Sequence, residues 1–292
     1  MQLSRPIRRF VDNSIVHLIM LLISLGMLIP MLLILSASFS SEAALSEYGY
    51  RLIPVEWSLE AYQFILRAPE RIIRAYGVTI FVTVFGSAFS LFITSLVAYA
   101  IARKTFRFRN VVAFVVFFTM LFNGGLVPWY IMITRYLDLR NTIWVLILPY
   151  AVIPWFVLLL RTYFARLPEE ILDAARVDGA NEWQVFFRIV MPMSTPALAT
   201  IGLFLMLMYW NDWWLGLLFI DDPDLMPLQL LLYNIQNNIS YLRSNTMTRN
   251  IVIPAQSVRM ALAIVAMGPA VFLALFFQKY FVSGITLGAL KD

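Results

Sequence analysis

The chain has 292 residues, of which 61% are hydrophobic and only 13% are charged. Soluble domains carry about 25% charged residues, so a chain of this composition would expose large apolar patches in water. The composition excludes a soluble protein and predicts a chain that folds in a lipid bilayer. The net charge of +5 is spread along the chain, which argues against nucleic acid as a partner.

Metal and disulfide chemistry are also excluded by composition. The chain has no cysteine and a single histidine, His17, which has no neighbouring residues that would complete a metal site. We therefore expect no disulfide, no metal and no cofactor bound by this chain.

Six segments are apolar enough to cross a bilayer, which takes about 20 residues. Arginines precede the first segment, but its apolar run is longer than that of a signal peptide, so it is predicted to be a retained span. There is no internal repeat, and we predict an all-α membrane protein with a single domain over residues 1–292. The predicted spans cover about residues 15–37, 78–102, 111–133, 143–160, 197–220 and 258–281.

The distribution of lysine and arginine predicts the orientation of these spans. An even number of spans places both termini on one side, which would hold thirteen basic residues against nine on the other. We predict that this side, with a tight basic cluster over 103–109, is cytoplasmic. Residues 39–77 and 221–257 would then lie outside, and the amide-rich second loop is predicted to be a contact surface.

A polar segment over about residues 165–195 lies between the fourth and fifth predicted spans, on the cytoplasmic side. Pro168 suits a first helical position, and Gly179 can end that helix in the left-handed conformation. Asn181 and Gln184 can cap a second helix. This helix–turn–helix would suit a hydrophobic groove on a cytoplasmic partner, although an amphipathic loop on the inner membrane surface is an alternative. Its apolar tips are predicted to be Val185, Phe186, Ile189 and Val190.

Polar residues inside a span usually face the bundle interior or a water-filled cavity. In the fifth predicted span, an amide and a carboxylate lie among aromatic residues. Aromatic faces commonly hold the C–H groups of sugars while amides and carboxylates hold hydroxyls, so this cluster is predicted to line a substrate path. For the tryptophans, an aromatic belt at the outer interface is the alternative. The candidates are Tyr209, Trp210, Asn211, Asp212 and Trp214, with Asn123 in the third span.

The polar segment resembles the EAA motif of ABC importer permeases. It reads Asp173-Ala174-Ala175, three residues, Gly179, nine residues, then Ile189-Val190-Met191-Pro192. It departs from the motif at Asp173, where the family has glutamate, and at Met191, where it has leucine. Other segments resemble the carbohydrate-uptake branch, including permeases for maltose and, more closely, for alginate or pectin fragments. These segments are 123–130, 141–144, 210–213 and 278–284.

The resemblance implies an ATP-driven importer of oligosaccharides in a bacterial cytoplasmic (inner) membrane. This chain would pair with a second homologous permease subunit and form half of the translocation path by alternating access. Two ATPase subunits would hold ATP and magnesium, and an extracytoplasmic binding protein would deliver the sugar. By the resemblance, the ATPase-coupling residues are Asp173, Ala174, Ala175, Asp178, Gly179, Phe186, Ile189 and Pro192. The binding protein would contact Asn234, Gln236, Asn237, Asn238 and Tyr241.

Two other functions compete with this interpretation. A secondary sugar transporter driven by an ion gradient usually has more spans, built from repeats. A membrane enzyme acting on lipid-linked sugars would need acidic and basic residues that converge at one site, and Asp212 alone supports this function only weakly. The chain also lacks a Walker A sequence and any G-x-S-x-G or H-E-x-x-H motif, so we do not expect it to be an enzyme. Arginines in the outer loops would suit an acidic sugar, but solvated loop arginines are the alternative.

Overall fold

The structure is a computed structural model that describes residues 5–67, 69–244, 254–269 and 271–272. Throughout these residues the chain is helical, apart from turns and an isolated antiparallel bridge between Ser40 and Trp57. The α-helices are α1 Arg5–Ser38, α2 Glu42–Tyr48, α3 Glu60–Ile65, α4 Pro69–Ala102, α5 Arg109–Leu121, α6 Leu126–Ile131, α7 Pro154–Phe164, α8 Glu169–Val177, α9 Glu182–Val185, α10 Met191–Met193, α11 Thr195–Trp210, α12 Trp214–Phe219, α13 Leu228–Ser244 and α14 255–269.

Short 3₁₀ and π-helical turns connect several of these helices. The π turns are Met132–Tyr136, which continues α6, and Phe186–Val190, which continues α9. The 3₁₀ turns are Ile143–Leu146, Leu148–Tyr150 and Pro223–Leu225.

The chain divides into two units. The first comprises residues 1–69 and 234–268, and the second comprises residues 70–233 and 269–292. In the first unit, the Glu42 carboxylate accepts hydrogen bonds from the backbone N–H groups of Gln256 (2.9 Å) and Ser257 (3.1 Å). These groups lie at the start of α14, where the helix dipole favours a negative charge, so Glu42 ties α2 to that helix.

The described residues contain two helices long and apolar enough to span a membrane, Val16–Ser38 and Pro69–Ala102. Three bent pairs of helices raise the number to five if each pair is one span. Four of these candidates correspond in position to the first four predicted spans. The fifth, Glu182–Met193 with Thr195–Trp210, begins within the polar segment and overlaps the predicted span 197–220 only up to residue 210. The sixth predicted span, 258–281, is helical over the described residues 258–269 and 271–272.

The third predicted span, 111–133, is sharply bent in the structure. The helix stops at Leu121, and the chain bends by 116° before it continues as α6. The side-chain Oδ1 of Asn123 accepts a hydrogen bond from Gly125 N at 2.8 Å, and Gly125 has a φ of +85°. A local asparagine turn and a left-handed glycine together end a helix.

The fourth and fifth predicted spans are also interrupted. The fourth bends by 48° between Ile143–Tyr150 and α7, and the fifth breaks between α11 and α12. At the second break, the Asn211 side chain donates to Leu207 O at 2.7 Å and the Asp212 side chain accepts from Leu215 N at 3.2 Å. These side chains compete with the helical backbone pattern and stop the helix.

The predicted outer loop 221–257 is partly helical, since α13 covers Leu228–Ser244. The helix buries Leu228, Leu230, Leu232 and Ile239, while Gln236, Asn237 and Asn238 are exposed. The amide-rich stretch is therefore an exposed part of a helix rather than an irregular loop.

In the second unit, the core lies between α4, α7, α11 and the segment from α9 through the π turn. A second core cluster contains Tyr209, whose hydroxyl donates to Ile147 O at 2.8 Å. The Tyr209 ring lies against α4 at Gly86, where an added Cβ would come within 2.9 Å of it. This close approach positions the end of α11, and with it the polar residues that follow.

Candidate functional site

The polar segment forms two helices joined by a tight turn. The first, α8, begins at Glu169, one residue later than predicted, with Pro168 directly before it. Gly179 has a φ of +86°, the left-handed conformation expected after a helix end. Asn181 Oδ1 accepts from Gln184 N, and Gln184 Oε1 accepts from Asn181 N, both at 2.9 Å. The predicted glycine turn and capping box are confirmed.

A carboxylate in the second of these helices links the segment to α4. Tyr99 Oη, near the C-terminal end of α4, donates to Glu182 Oε2 at 2.5 Å. Arg176 of α8 donates to Glu182 Oε1 from Nη2 at 2.6 Å and from Nε at 3.1 Å. The same guanidinium donates from Nη1 to Asp173 Oδ1 at 3.1 Å. One network thus joins both helices of the turn to the long helix α4.

Ionisation of this network follows from its hydrogen bonds. Burial opposes ionisation of Glu182, but the hydrogen bonds from Tyr99 and Arg176 outweigh it, and the pKa of Glu182 is lowered. The hydrogen bond to Glu182 raises the pKa of Arg176. At neutral pH, ionised Glu182 therefore accepts hydrogen bonds from the charged Arg176 side chain of α8 and from the neutral Tyr99 hydroxyl of α4.

Replacing Glu182 with glutamine should lower the free energy of unfolding by about 1 kcal/mol at neutral pH, a value reduced for partial exposure. The folded pKa lies below the ordinary value of 4.5, so the stabilisation is present above pH 4.5 and is lost as the pH falls through the folded pKa. Thermal unfolding of both proteins from neutral pH to below pH 4 measures this. The difference in melting temperature should shrink below pH 4.5.

The control is Glu170→Gln on α8, an exposed carboxylate with no hydrogen bond in the described part of the chain. This variant should melt like the parent protein across the same pH range. A constant difference between parent and Glu182→Gln at all pH values would show that the charge of Glu182 contributes nothing.

The structure places the predicted coupling residues at different depths. Asp173, Ala174, Asp178, Gly179 and Pro192 are exposed, and Ala175 and Ile189 are partly buried.

The prediction that Val185, Phe186 and Val190 are exposed tips was wrong. Phe186 is 1% exposed and packs on the Tyr99 ring with 5.2 Å between ring centroids, and the two valines are fully buried. These side chains fill the core between α4, α7 and α11. They hold the segment in place and cannot contact a partner.

The exposed apolar side chains of the segment are ones that sequence reasoning missed. Val177 is 87% exposed and Trp183 is 60% exposed, while Ile171 and Phe187 are also exposed. Trp183 and Phe187 stack at 6.1 Å between ring centroids. Their spacing of one helical turn was the available signal, since it places them on a common face. We call Ile171, Val177, Trp183 and Phe187 the exposed apolar surface.

A cavity of about 430 Å³ lies where the third and fifth predicted spans are interrupted. The break after α5 contributes the amide of Asn123 and Gly125, and α6 contributes the indole of Trp129. The phenol of Tyr150 and the indole of Trp214 come from later segments. It is lined by Asn123, Gly125, Leu126, Trp129, Tyr150 and Trp214.

Asp212 lies directly behind one wall of this cavity. Its Oδ1 accepts a hydrogen bond from Tyr150 Oη at 3.0 Å, and its Oδ2 accepts from Leu215 N at 3.2 Å. The structure therefore brings Asn123, Trp214 and Asp212 together, as the prediction of a shared path requires, and adds Tyr150 and Trp129. In the sequence, only the proline before Tyr150 and the short length of the fourth apolar segment indicated an irregular helix at this residue.

Other predicted path residues do not reach the cavity. Tyr209 and Trp210 are each 2% exposed and belong to the packed interior, so their assignment to the cavity lining was wrong. The predicted aromatic cluster is divided by the helix break. Tyr209, before the break, packs against α4, whereas Trp214, after the break, lines the cavity. Asn211 is exposed, and its amide is used on Leu207 O.

The predicted contact residues of the outer segment lie on α13. Gln236, Asn237 and Asn238 are exposed, and Asn234 is partly buried. The side chain of Tyr241 lies outside the described residues.

Comparison with known proteins agrees along nearly the whole chain. Residues 7–287 match the family model described as "Binding-protein-dependent transport system inner membrane component". Protein LplC of Bacillus subtilis is 36% identical over 266 residues, covering 90% of this chain and 89% of that protein. The polygalacturonan/rhamnogalacturonan transport system permease protein YtcP of the same organism is 34% identical over 286 residues, covering 96% and 98%.

A solved structure shows the same fold. It is described as a bacterial ABC transporter involved in the import of the acidic polysaccharide alginate. The match has a TM-score of 0.79 and 29% identity, and it covers 96% of this chain and 99% of the other. The predicted resemblance to sugar permeases is confirmed, and this chain belongs to the family of inner membrane components of binding-protein-dependent transport systems.

Proposed function

We propose that this chain is the permease subunit of an ATP-driven importer of oligosaccharides and forms half of the translocation path by alternating access. The observation that carries the proposal is the family match over residues 7–287. Relatives named as permeases for polygalacturonan/rhamnogalacturonan and for trehalose/maltose support a sugar substrate. Oligosaccharides related to pectin or alginate are the substrate class most consistent with these relatives and with the alginate transporter.

In the proposed assembly, a second homologous permease completes the path and two ATPase subunits hold ATP and magnesium. The chain would be a single membrane domain of six spans, with both termini on the cytoplasmic side of a bacterial inner membrane. An extracytoplasmic binding protein would release sugar near α13, where exposed amides favour a polar contact.

Transmission of ATPase movement would pass through the helix–turn–helix. Its exposed apolar surface would sit in the ATPase, because exposed aromatic and aliphatic side chains supply binding energy when buried by a partner. Closure of the ATPases would then push on α8 and α9. The Tyr99–Glu182 hydrogen bond and the buried Phe186 side chain would carry that push to α4.

The test is purification of this chain from its native membrane in detergent, with identification of co-purifying proteins by mass spectrometry. We expect an ATPase, a second permease and a binding protein. The comparison is Gly179→Pro, since proline cannot adopt the positive φ of this turn and should release the ATPase. Recovered assemblies should import oligosaccharide into liposomes only with ATP. Uptake that follows an ion gradient without any ATPase would support the secondary transporter instead.

A further inference from the structure

The cavity beside Asn123 has a lining typical of a sugar site. Three of its six lining residues are aromatic, and the single side-chain amide is that of Asn123. Its volume of about 430 Å³ lies within the range of small-molecule pockets, roughly 300–1,000 Å³. Indole and phenol rings present flat apolar surfaces that match the C–H faces of a pyranose ring.

The polar groups at this cavity are suited to hydroxyl groups. Asn123 uses its Oδ1 on Gly125 N, and its NH₂ has no hydrogen bond among the residues that the structure describes. Tyr150 donates its hydroxyl proton to Asp212, so the phenol oxygen has acceptor capacity left. An amide donor and a phenol acceptor match the donor and acceptor functions of sugar hydroxyls.

The charge around the cavity disfavours an anion. No lysine, arginine or histidine is among the lining residues. Tyr150 gives its hydroxyl proton to Asp212 Oδ1, so the phenol has no donor left for an anion. A charged group that leaves water needs an opposite charge or several hydrogen bonds to offset the loss of hydration. A uronic acid carboxylate placed here would find no cation among the lining side chains.

We propose that this cavity binds an uncharged sugar residue and excludes the carboxylate of a uronic acid. The inference rests on the proposed function, because it assumes an oligosaccharide path through this chain. It narrows the proposed substrate class to oligosaccharides that contain neutral sugar residues. Alginate and polygalacturonan consist of uronic acids alone, whereas rhamnogalacturonan also contains neutral rhamnose. The cavity of this chain would take the neutral residues of a mixed substrate, or those of a wholly neutral one.

The absence of cysteine from the chain allows a direct test. A single cysteine replaces Leu126, an exposed lining residue that makes none of the proposed polar contacts, in the complete importer with any cysteines of the partner subunits removed. Its rate of labelling by a maleimide is measured in detergent. The probes are galactotriose and trigalacturonate, which share a ring and differ in charge. The control cysteine replaces Tyr136, an exposed residue outside the cavity lining.

We expect galactotriose to slow labelling at position 126 by about tenfold at a concentration ten times its dissociation constant, by simple occupancy. Trigalacturonate should leave that rate unchanged, and neither sugar should affect position 136. Equal or stronger protection by trigalacturonate would overturn the inference, and so would protection by neither sugar.

A parallel assay separates this inference from the proposed function. ATP-driven oligosaccharide uptake by the parent importer tests the function alone. If uptake occurs without selective protection at position 126, only the inference fails. If no ATP-driven uptake of any oligosaccharide occurs, the proposed function fails as well.

Discussion

Replacing Trp183 with alanine is expected to remove most of the ATPase that co-purifies with this chain. Trp183 is 60% exposed, so its ring can be buried by a partner, and it stacks on Phe187 to form a flat apolar face. Interface tryptophans that act as hot spots contribute about 2 kcal/mol or more, which corresponds to at least about a 30-fold loss of affinity. ATPase recovered per permease is the quantity to measure.

The matched control is Trp155→Ala. Trp155 has the same exposed fraction, 60%, but lies at the start of α7, outside the helix–turn–helix. This variant should retain its ATPase. Equal losses from both variants would point to general destabilisation, and no loss from Trp183→Ala would contradict the docking role of the exposed apolar surface.

A charge at Val177 gives an independent version of the same prediction. Val177 is 87% exposed at the C-terminal end of α8, so a lysine there stays hydrated in the isolated chain and its positive charge suits the helix dipole. In an apolar interface the unpaired charge would be buried and strongly unfavourable. Val177→Lys should therefore release the ATPase without lowering the melting temperature of the free permease.

Replacing Gly86 with valine is expected to destabilise the second unit and to reduce transport. A Cβ at position 86 would meet two carbons of the Tyr209 ring at 2.9 Å, and Tyr209 is buried and hydrogen-bonded to Ile147 O. Overpacking of this kind costs about 1–3 kcal/mol. The Tyr209 ring also packs edge-on against Tyr150, with 5.8 Å between centroids, so displacing it would move the cavity wall.

Gly77→Ala is the control, because Gly77 lies in the same helix and a Cβ there would meet no atom within 4 Å. Alanine is favoured over glycine inside a helix by about 1 kcal/mol, so this variant should be neutral or slightly more stable. Thermal unfolding and ATP-driven uptake are the measurements. In the double variant Gly86→Val/Tyr209→Leu, the smaller leucine side chain should restore part of the stability that Gly86→Val removes. If the Gly86→Val protein had the melting temperature and transport rate of the parent, α4 and α11 would be able to move apart without loss of stability, which would contradict the prediction.

Much of this protein follows from local sequence. Apolar composition identified a membrane protein. The first two predicted spans overlap the two helices that are long and apolar enough to cross a bilayer, because a bilayer requires long apolar segments whatever their neighbours. Gly179 and the pair Asn181 and Gln184 defined the turn and the second helix, since these contacts join residues only a few positions apart. Such features depend on no distant part of the chain.

The direction in which each aromatic side chain points was decided by tertiary structure. Trp183, Phe186 and Phe187 lie within five residues, yet only Phe186 is buried, because the core offers one space beside Tyr99. The same applies in the fifth span, where Tyr209 and Trp210 pack inside while Trp214 lines the cavity. Local spacing does not distinguish these residues.

The hydrogen-bonded side-chain pairs in these sites could not be predicted from the sequence either. Tyr150 and Asp212 are 62 residues apart, and Tyr99 and Glu182 are 83 apart. The sequence by itself determined a membrane permease with a glycine turn between two short helices, because composition and short-range hydrogen bonds suffice for that. Only the tertiary structure decided which side chains of these segments stay exposed or line the cavity, because packing between distant helices buries the others.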